Sequence, residues 1–190
     1  THSLWYSFGS KTWQGIGNGI STSSSFTPPM SLCNEIPKAA SGSMTIILRT
    51  YYGNTQIGRD QYYYYTMNVP SSVVPTLSQV TCSEYMSDVH NLIGAYVQNK
   101  SRLSLAIIGA TGSYGSVITT YKISVAGQTI NAVSGTTGIM TTSGNQTITA
   151  TITDSRGRTA TKSISVNVLP YIHPKINGVG VERNTDTSAL

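Results

Sequence analysis

The chain has 190 residues, a net charge of +5 and only 10% charged residues, with Ser, Thr, Gly and Tyr abundant. That profile predicts many short strands joined by turns rather than helices rich in Glu, Lys and Ala, arranged as one large domain or two small ones. The twelve Lys and Arg stand singly, so no clustered nucleic-acid footprint is present. No apolar run approaches the ~20 residues of a membrane-spanning helix; neither nucleic acid nor membrane is expected as a partner.

In chain order, "HSLWYSFG" (residues 2–9) reads as an alternating strand that ends in glycine. "PPMSLCNEIP" (28–37) is the one helix candidate; Pro37 ends it, so at most one or two turns fit. "SGSMTIILRTYYGNTQIG" (41–58) and "DQYYYYTMNVP" (60–70) read as two strands, the second stopped by Pro70. Further strands are expected at residues 76–83, 103–108 and 117–125. "TITATIT" (147–153) and "ATKSISVNV" (160–168) flank a hairpin turn, "TDSRGRT".

The chain repeats itself. "YTMNVPSSVVPTLSQV" (65–80) aligns without gaps with "ISVNVLPYIHPKINGV" (164–179), an offset of 99 residues that matches Asn68 with Asn167, Pro75 with Pro174 and Val80 with Val179. Upstream, "SGSMTIILRT" resembles "SGNQTITATIT", and "HSLWYSFG" resembles "YKISVAG". The offset is the size of an immunoglobulin-like sandwich. The expected fold class is all-β, tandem immunoglobulin-like β-sandwich domains joined by proline-bearing linkers at 71–75 and 170–174. Residues 1–70 would form one sandwich lacking its first strands and 76–169 a complete one. Residues 175–190 would open a further repeat, with 175–183 as its first strand.

The repeat assigns faces. Ile164, Val166 and Val168 stand opposite Tyr65, Met67 and Val69, so Tyr65 and Tyr63 are expected to face a core, and Tyr62 and Tyr64 solvent. Ile46, Leu48 and Thr50 match the inward set Ile148, Ala150 and Ile152, which leaves Ile47, Arg49 and Tyr51 outside. Parity places Trp5 on the face opposite Leu4, Tyr6 and Phe8. Arg49, Tyr51, Tyr62, Tyr64, Trp5 and Trp13 are thus the candidate patch for a partner or glycan. Tyr and Arg are favoured in interfaces; cross-strand aromatic pairs that stabilise the sheet are the alternative reading.

Chemistry-bearing motifs fare less well. "LAIIGATGSYGS" (105–116) has the glycine spacing of a dinucleotide fingerprint, but an alternating β-branched segment follows Gly115 where a helix is required. His2, His90 and His173 lie in separate segments without metal-ligand spacing. Glu84 and Asp88 fall in a polar loop, and Asp154 is accounted for as a turn residue. No catalytic residue, cofactor or metal is expected, and the linkers hold no carboxylates for calcium. Cys33 and Cys82 are expected as free thiols of a protein made in a reducing cytoplasm.

The ordered series "HSLWYSFG … FTPPMSLCNEIP … SGSMTIILRTYYGNTQIG … VPSSVVPTLSQV", continuing with "YVQNKSRL … YGSVITTYKISVAGQT … TTSGNQTITATITDSRGRTATKSISVNVL", resembles the siphovirus minor structural proteins, tail-associated proteins of phages that infect Gram-positive bacteria. The resemblance covers nearly the whole chain. It implies tandem immunoglobulin-like domains in a virion tail or tail tip, with other tail proteins as partners and no assigned catalytic residues. It also implies a further strand before the "HSLWYSFG" segment. Two functions follow as expectations: a non-enzymatic structural spacer in the tail, or an adhesion module that rests on host cell-surface polysaccharide through aromatic stacking.

Overall fold

The computed structural model describes residues 1–180. Alternating small polar and apolar residues dictate strands, and the first segment holds five: β1 (His2–Phe8), β2 (Lys11–Ile20), β3 (Ser41–Tyr52), β4 (Thr55–Gln56) and β5 (Gln61–Asn68). They form one antiparallel sheet in the order β2-β1-β3, with β5 along the first part of β3 and β4 at its far end. The proline-bounded segment forms a 3₁₀ helix, Met30–Glu35, the one or two turns that its prolines allow.

The second segment holds β6 (Gln79–Glu84), α1 (Ser87–Ile93), β7 (Tyr96–Val97), β8 (Leu103–Ile108), β9 (Ile118–Val125), β10 (Gln128–Ile130), β11 (Ser134–Thr136), β12 (Gly144–Asp154) and β13 (Thr159–Leu169). Two sheets result, β10-β9-β12-β13-β7 and β11-β8-β6. Their inner faces meet in one core of Leu77, Val80, Leu103, Leu105, Ile107, Ile123, Val125, Met140, Ile148, Ala150, Ile152 and Val168. Each fully buried aliphatic side chain there contributes about 1.5–3 kcal/mol. Ile148, Ala150 and Ile152 face inward as the alternation requires. The fold is all-β, and the sheet order β2-β1-β3-β5 of the first unit recurs as β10-β9-β12-β13 in the second.

Residues 1–70, expected as a sandwich lacking its first strands, show one layer of sheet. Among the described residues no second sheet faces it. Tyr6, Phe8 and Met44 are covered at one end by Leu32 of the 3₁₀ helix, with Phe26 and Ile36 beside it. Phe26 stacks on Tyr6, ring centroids 5.0 Å apart. The rest of that face is an open apolar groove of about 490 Å³ whose lining includes Leu4, Ile16, Ile46, Leu48, Tyr63 and Tyr65. Tyr63 and Tyr65 lie on the same side as Tyr6 and Phe8, as parity demands, but are 46% and 58% exposed rather than buried. Strand parity sets which face a ring occupies; only a second layer buries it.

Two further differences concern segments between strands. The loop expected around Glu84 and Asp88 contains α1, a seven-residue helix closed by Gly94 in the left-handed region at φ 69°. The strand expected over 175–183 is absent in 175–180, where Ile176 and Val179 are exposed; positions 181–190 of that expected repeat lie outside the described residues.

Candidate partner-contact surface and inter-unit joint

On the face of the first sheet opposite the groove, register brings Trp5 of β1, Ile47 of β3 and Tyr62 of β5 into one cross-strand row. Ser7, Thr45 and Tyr64 form the next row. Arg49 stands two residues beyond Ile47 on the same face, its guanidinium carbon 4.9 Å from the centroid of the Trp5 ring. Arg49 Nε donates to both carboxylate oxygens of Asp60, at 2.9 and 3.0 Å, and Gln56 Nε2 donates to Asp60 Oδ1 at 2.9 Å. The hydrogen bond to Asp60 holds the Arg49 pKa above its usual value.

Trp5, Trp13, Ile47 and Arg49 line a hollow of about 210 Å³. Gly15 stands opposite Trp5 on β2, and a Cβ there would lie in ordinary contact with the indole, 3.9 Å from the ring. Trp13 adopts φ 53°, a left-handed conformation costly for a bulky residue. It sits where the β1–β2 register slips between Tyr6 and Phe8.

Of the six candidate residues, Trp5, Trp13 and Arg49 converge on the hollow, Tyr62 adjoins it through Ile47, and Tyr64 stands one row further, 72% exposed. Tyr51 lies at the sheet's end, where its main chain exchanges hydrogen bonds with Thr1. Ile47 occupies the expected outward face, yet is only 1% exposed, because these larger side chains enclose it. The outer face therefore has a small apolar centre of its own.

A second constellation lies where the two units meet. The β12–β13 turn is built on Asp154, whose Oδ1 accepts from the main-chain N–H groups of Arg156 and Arg158, both at 2.9 Å. Gly157 supplies the left-handed residue at φ 78°. Each of the turn's three polar side chains then bonds across the unit boundary, and Arg156 bonds within its own unit as well. Ser155 Oγ donates to Pro37 O at 2.6 Å. Arg156 is buried and donates to Cys33 O and Ile36 O, at and just beyond the carbonyl end of the first unit's 3₁₀ helix, and to Ser113 O and Tyr114 O. Arg158 donates to Val69 O and Pro70 O at the end of the first unit and to Val73 O in the linker.

Two planar guanidinium forks thereby add donors to main-chain oxygens of both units, among them those of Cys33, Ile36, Pro70 and Ser113, which also accept main-chain N–H groups. Val73 packs with Cys33 and Val69 beneath them, and Pro75 is fully buried. Sequence reasoning treated "TDSRGRT" as a local turn and missed these arginines. Two like charges two positions apart in a tight turn, in a chain so poor in charge, were the available signal.

The remaining motifs resolve into packing. The glycine-rich stretch runs from β8 into β9 through a loop closed by Ser116 Oγ, which donates to Ser113 O and accepts from Ser113 N–H. A Cβ at Gly112 would come within 1.9 Å of Ser116 O, so close approach of backbone explains the glycine. Cys33 and Cys82 are free thiols. Among the described residues no three His, Cys, Asp or Glu side chains cluster to hold a metal ion, and no helix is long and apolar enough to cross a membrane.

Fold and surface define a class: an all-β protein whose successive sheets are bridged by arginine side chains, with an aromatic outer face on the first. Over residues 1–190 the chain matches the family described as siphovirus protein of unknown function (DUF859), and it belongs to that family. No curated protein matches it.

Proposed function

We propose that the chain is a non-enzymatic structural component of the phage virion, a module of the tail or tail tip that holds neighbouring domains at a fixed angle and spacing. The observation that carries this reading is the joint: Ser155, Arg156 and Arg158 direct their side chains to main-chain oxygens across the unit boundary. A spacer needs that geometry and an enzyme does not. The two units would then be immunoglobulin-like repeats of one array, with other tail proteins as partners and the virion tail as location. Gold-labelled antibody against the chain on purified virions tests it, with label on the tail expected. Chain absent from virions, or label confined to the capsid, contradicts it.

A second reading is favoured by the hollow beside Trp13, which is 56% exposed. An exposed indole next to an arginine and two exposed tyrosines can stack on a sugar ring, so the same face would rest on host cell-surface polysaccharide. Pull-down on cell walls separates the readings: retention of the wild type and loss on Trp13→Ala and Tyr64→Ala supports adhesion, and no retention of the wild type removes it.

A further inference from the structure

The hollow on the outer face of the first unit is defined closely enough to name the chemistry of its ligand. It measures about 210 Å³ between Trp5, Trp13, Ile47 and Arg49. Pockets for drug-sized ligands run from about 300 to 1,000 Å³, so this one holds a single ring and not a buried chain. Trp13 presents its indole there at φ 53° while 56% exposed, so burial of the ring does not account for the strain. Strained backbone of this kind gathers where ligands are clamped. The face does not depend on a second layer. In the second unit, which has both sheets, the same face stays at the surface with its Thr149–Ser163 and Thr151–Thr161 hydroxyl pairs exposed.

Electrostatics narrow the ligand further. An arginine alone over a hollow would select an anion, but Arg49 Nε donates to both oxygens of Asp60. The pair is neutral, and an anionic group brought to Arg49 would meet the Asp60 carboxylate as well. The cluster mixes donors and acceptors. The Nη groups of Arg49 lie outside the Asp60 contact, Asp60 Oδ2 keeps acceptor capacity, and Gln56, which donates to Asp60 Oδ1, offers its amide oxygen. Hydroxyl groups, which donate and accept at once, match such an edge. Arg49 already stands over the ring of Trp5, so the free platform is Trp13.

We propose that the hollow takes one uncharged sugar ring, a hexose or N-acetylhexosamine, with its C–H face on Trp13 and its hydroxyls toward Arg49, Asp60 and Gln56. This inference rests on the adhesion reading above and narrows it to neutral glycans, as against phosphate- or uronate-bearing polymers.

Both tryptophans of the chain line the hollow, so intrinsic emission reports this place alone. The whole chain is titrated with methyl glycosides of glucose, galactose, rhamnose and N-acetylglucosamine, and separately with glycerol phosphate and glucuronate, up to about 100 mM to reach contacts weaker than millimolar. At least one neutral glycoside should shift the emission, and equally in about 1 M NaCl, where screening leaves charges a reach of about 3 Å. Trp13→Ala, at an exposed position, should weaken that response about tenfold or more. Asp60→Asn, which unpairs Arg49, should gain a response to glycerol phosphate. A wild type neither retained on cell walls nor shifted by any glycoside removes the adhesion reading and this inference together. A wild type retained on walls overturns this inference alone if it is silent to every neutral glycoside, answers only glycerol phosphate or glucuronate, or loses its response in salt. An undiminished response in Trp13→Ala does the same.

Discussion

Arg156 and Arg158 stand two positions apart in one turn, with main-chain N–H groups bonded to the same Asp154 oxygen, yet their guanidinium groups reach different parts of the chain. Arg156 reaches the carbonyl end of the first unit's 3₁₀ helix, and Arg158 reaches the segment from Val69 to Val73 that follows β5. A strand-to-strand turn, ordinarily the most dispensable part of a sheet, is here the organising element of the boundary. The arrangement fixes two directions at once, which a single anchor could not do.

Replacing Arg156 removes a charged donor from four carbonyl groups of both units, of which Cys33, Ile36 and Ser113 keep a main-chain N–H. Arg156→Ala should lower unfolding stability by about 2–4 kcal/mol, measured by urea denaturation. Arg156→Lys should rescue little of it, because one ammonium cannot satisfy oxygens that a planar fork serves. Arg158→Ala, at a half-exposed position, should cost about 1–2 kcal/mol.

On the outer face, the two readings of the aromatics separate by position. Tyr64→Ala should change stability by less than about 0.5 kcal/mol, since the ring is mostly exposed. Trp5→Ala uncovers Ile47 and removes the ring beneath Arg49, and should cost about 2–3 kcal/mol. Equal losses from both variants would mean that Tyr64 is as structural as Trp5.

The pH dependence has two arms. Ser10 donates to Glu35 through Oγ at 2.6 Å and N at 2.9 Å, which, with Lys11 nearby, holds the carboxyl below its usual 4.5. A lowered folded value means that this contribution is present above pH 4.5 and disappears as the pH falls through the folded pKa. Glu35→Gln should flatten that acid limb slightly, as suits an exposed group. At the other end, burial raises Cys82 above 9.0, and burial followed by the Cys82 contact raises Tyr96 above 10.0. Raised folded values mean that their contribution is whole below pH 9 and is lost as the pH climbs through them. The urea midpoint should fall above pH 9, and less steeply in Tyr96→Phe.

Gly112 tests the packing account of the glycine-rich loop. Gly112→Ala forces Ser116 and its main chain to move and should destabilise by about 1–3 kcal/mol. A neutral result by thermal unfolding would show that the loop has room to spare.

Much of this was legible in the sequence, for a physical reason. Period-two alternation and the 99-residue repeat fixed which side of β3, β5, β12 and β13 each residue occupies, and the parity held for Ile46, Ile47, Tyr62 and Tyr65. Parity carries no information about what lies opposite a face, so Tyr65 was expected buried and is open, while Ile47 was expected on an outer surface and is enclosed. The helix α1 was missed because its seven residues have no sustained apolar stripe; Gly94 was its one stop signal. The joint was missed because a guanidinium's partners are set by tertiary approach, over separations of 85 to 123 residues.

The central claim is that the joint makes two β units one rigid body. Residual dipolar couplings of main-chain amides in a weakly aligned sample measure this directly. One alignment tensor should fit the amides of 2–68 and 79–169 together in the wild type, and two should be needed once Arg156 and Arg158 are both replaced by Ala. Two distinct tensors in the wild type would contradict the account.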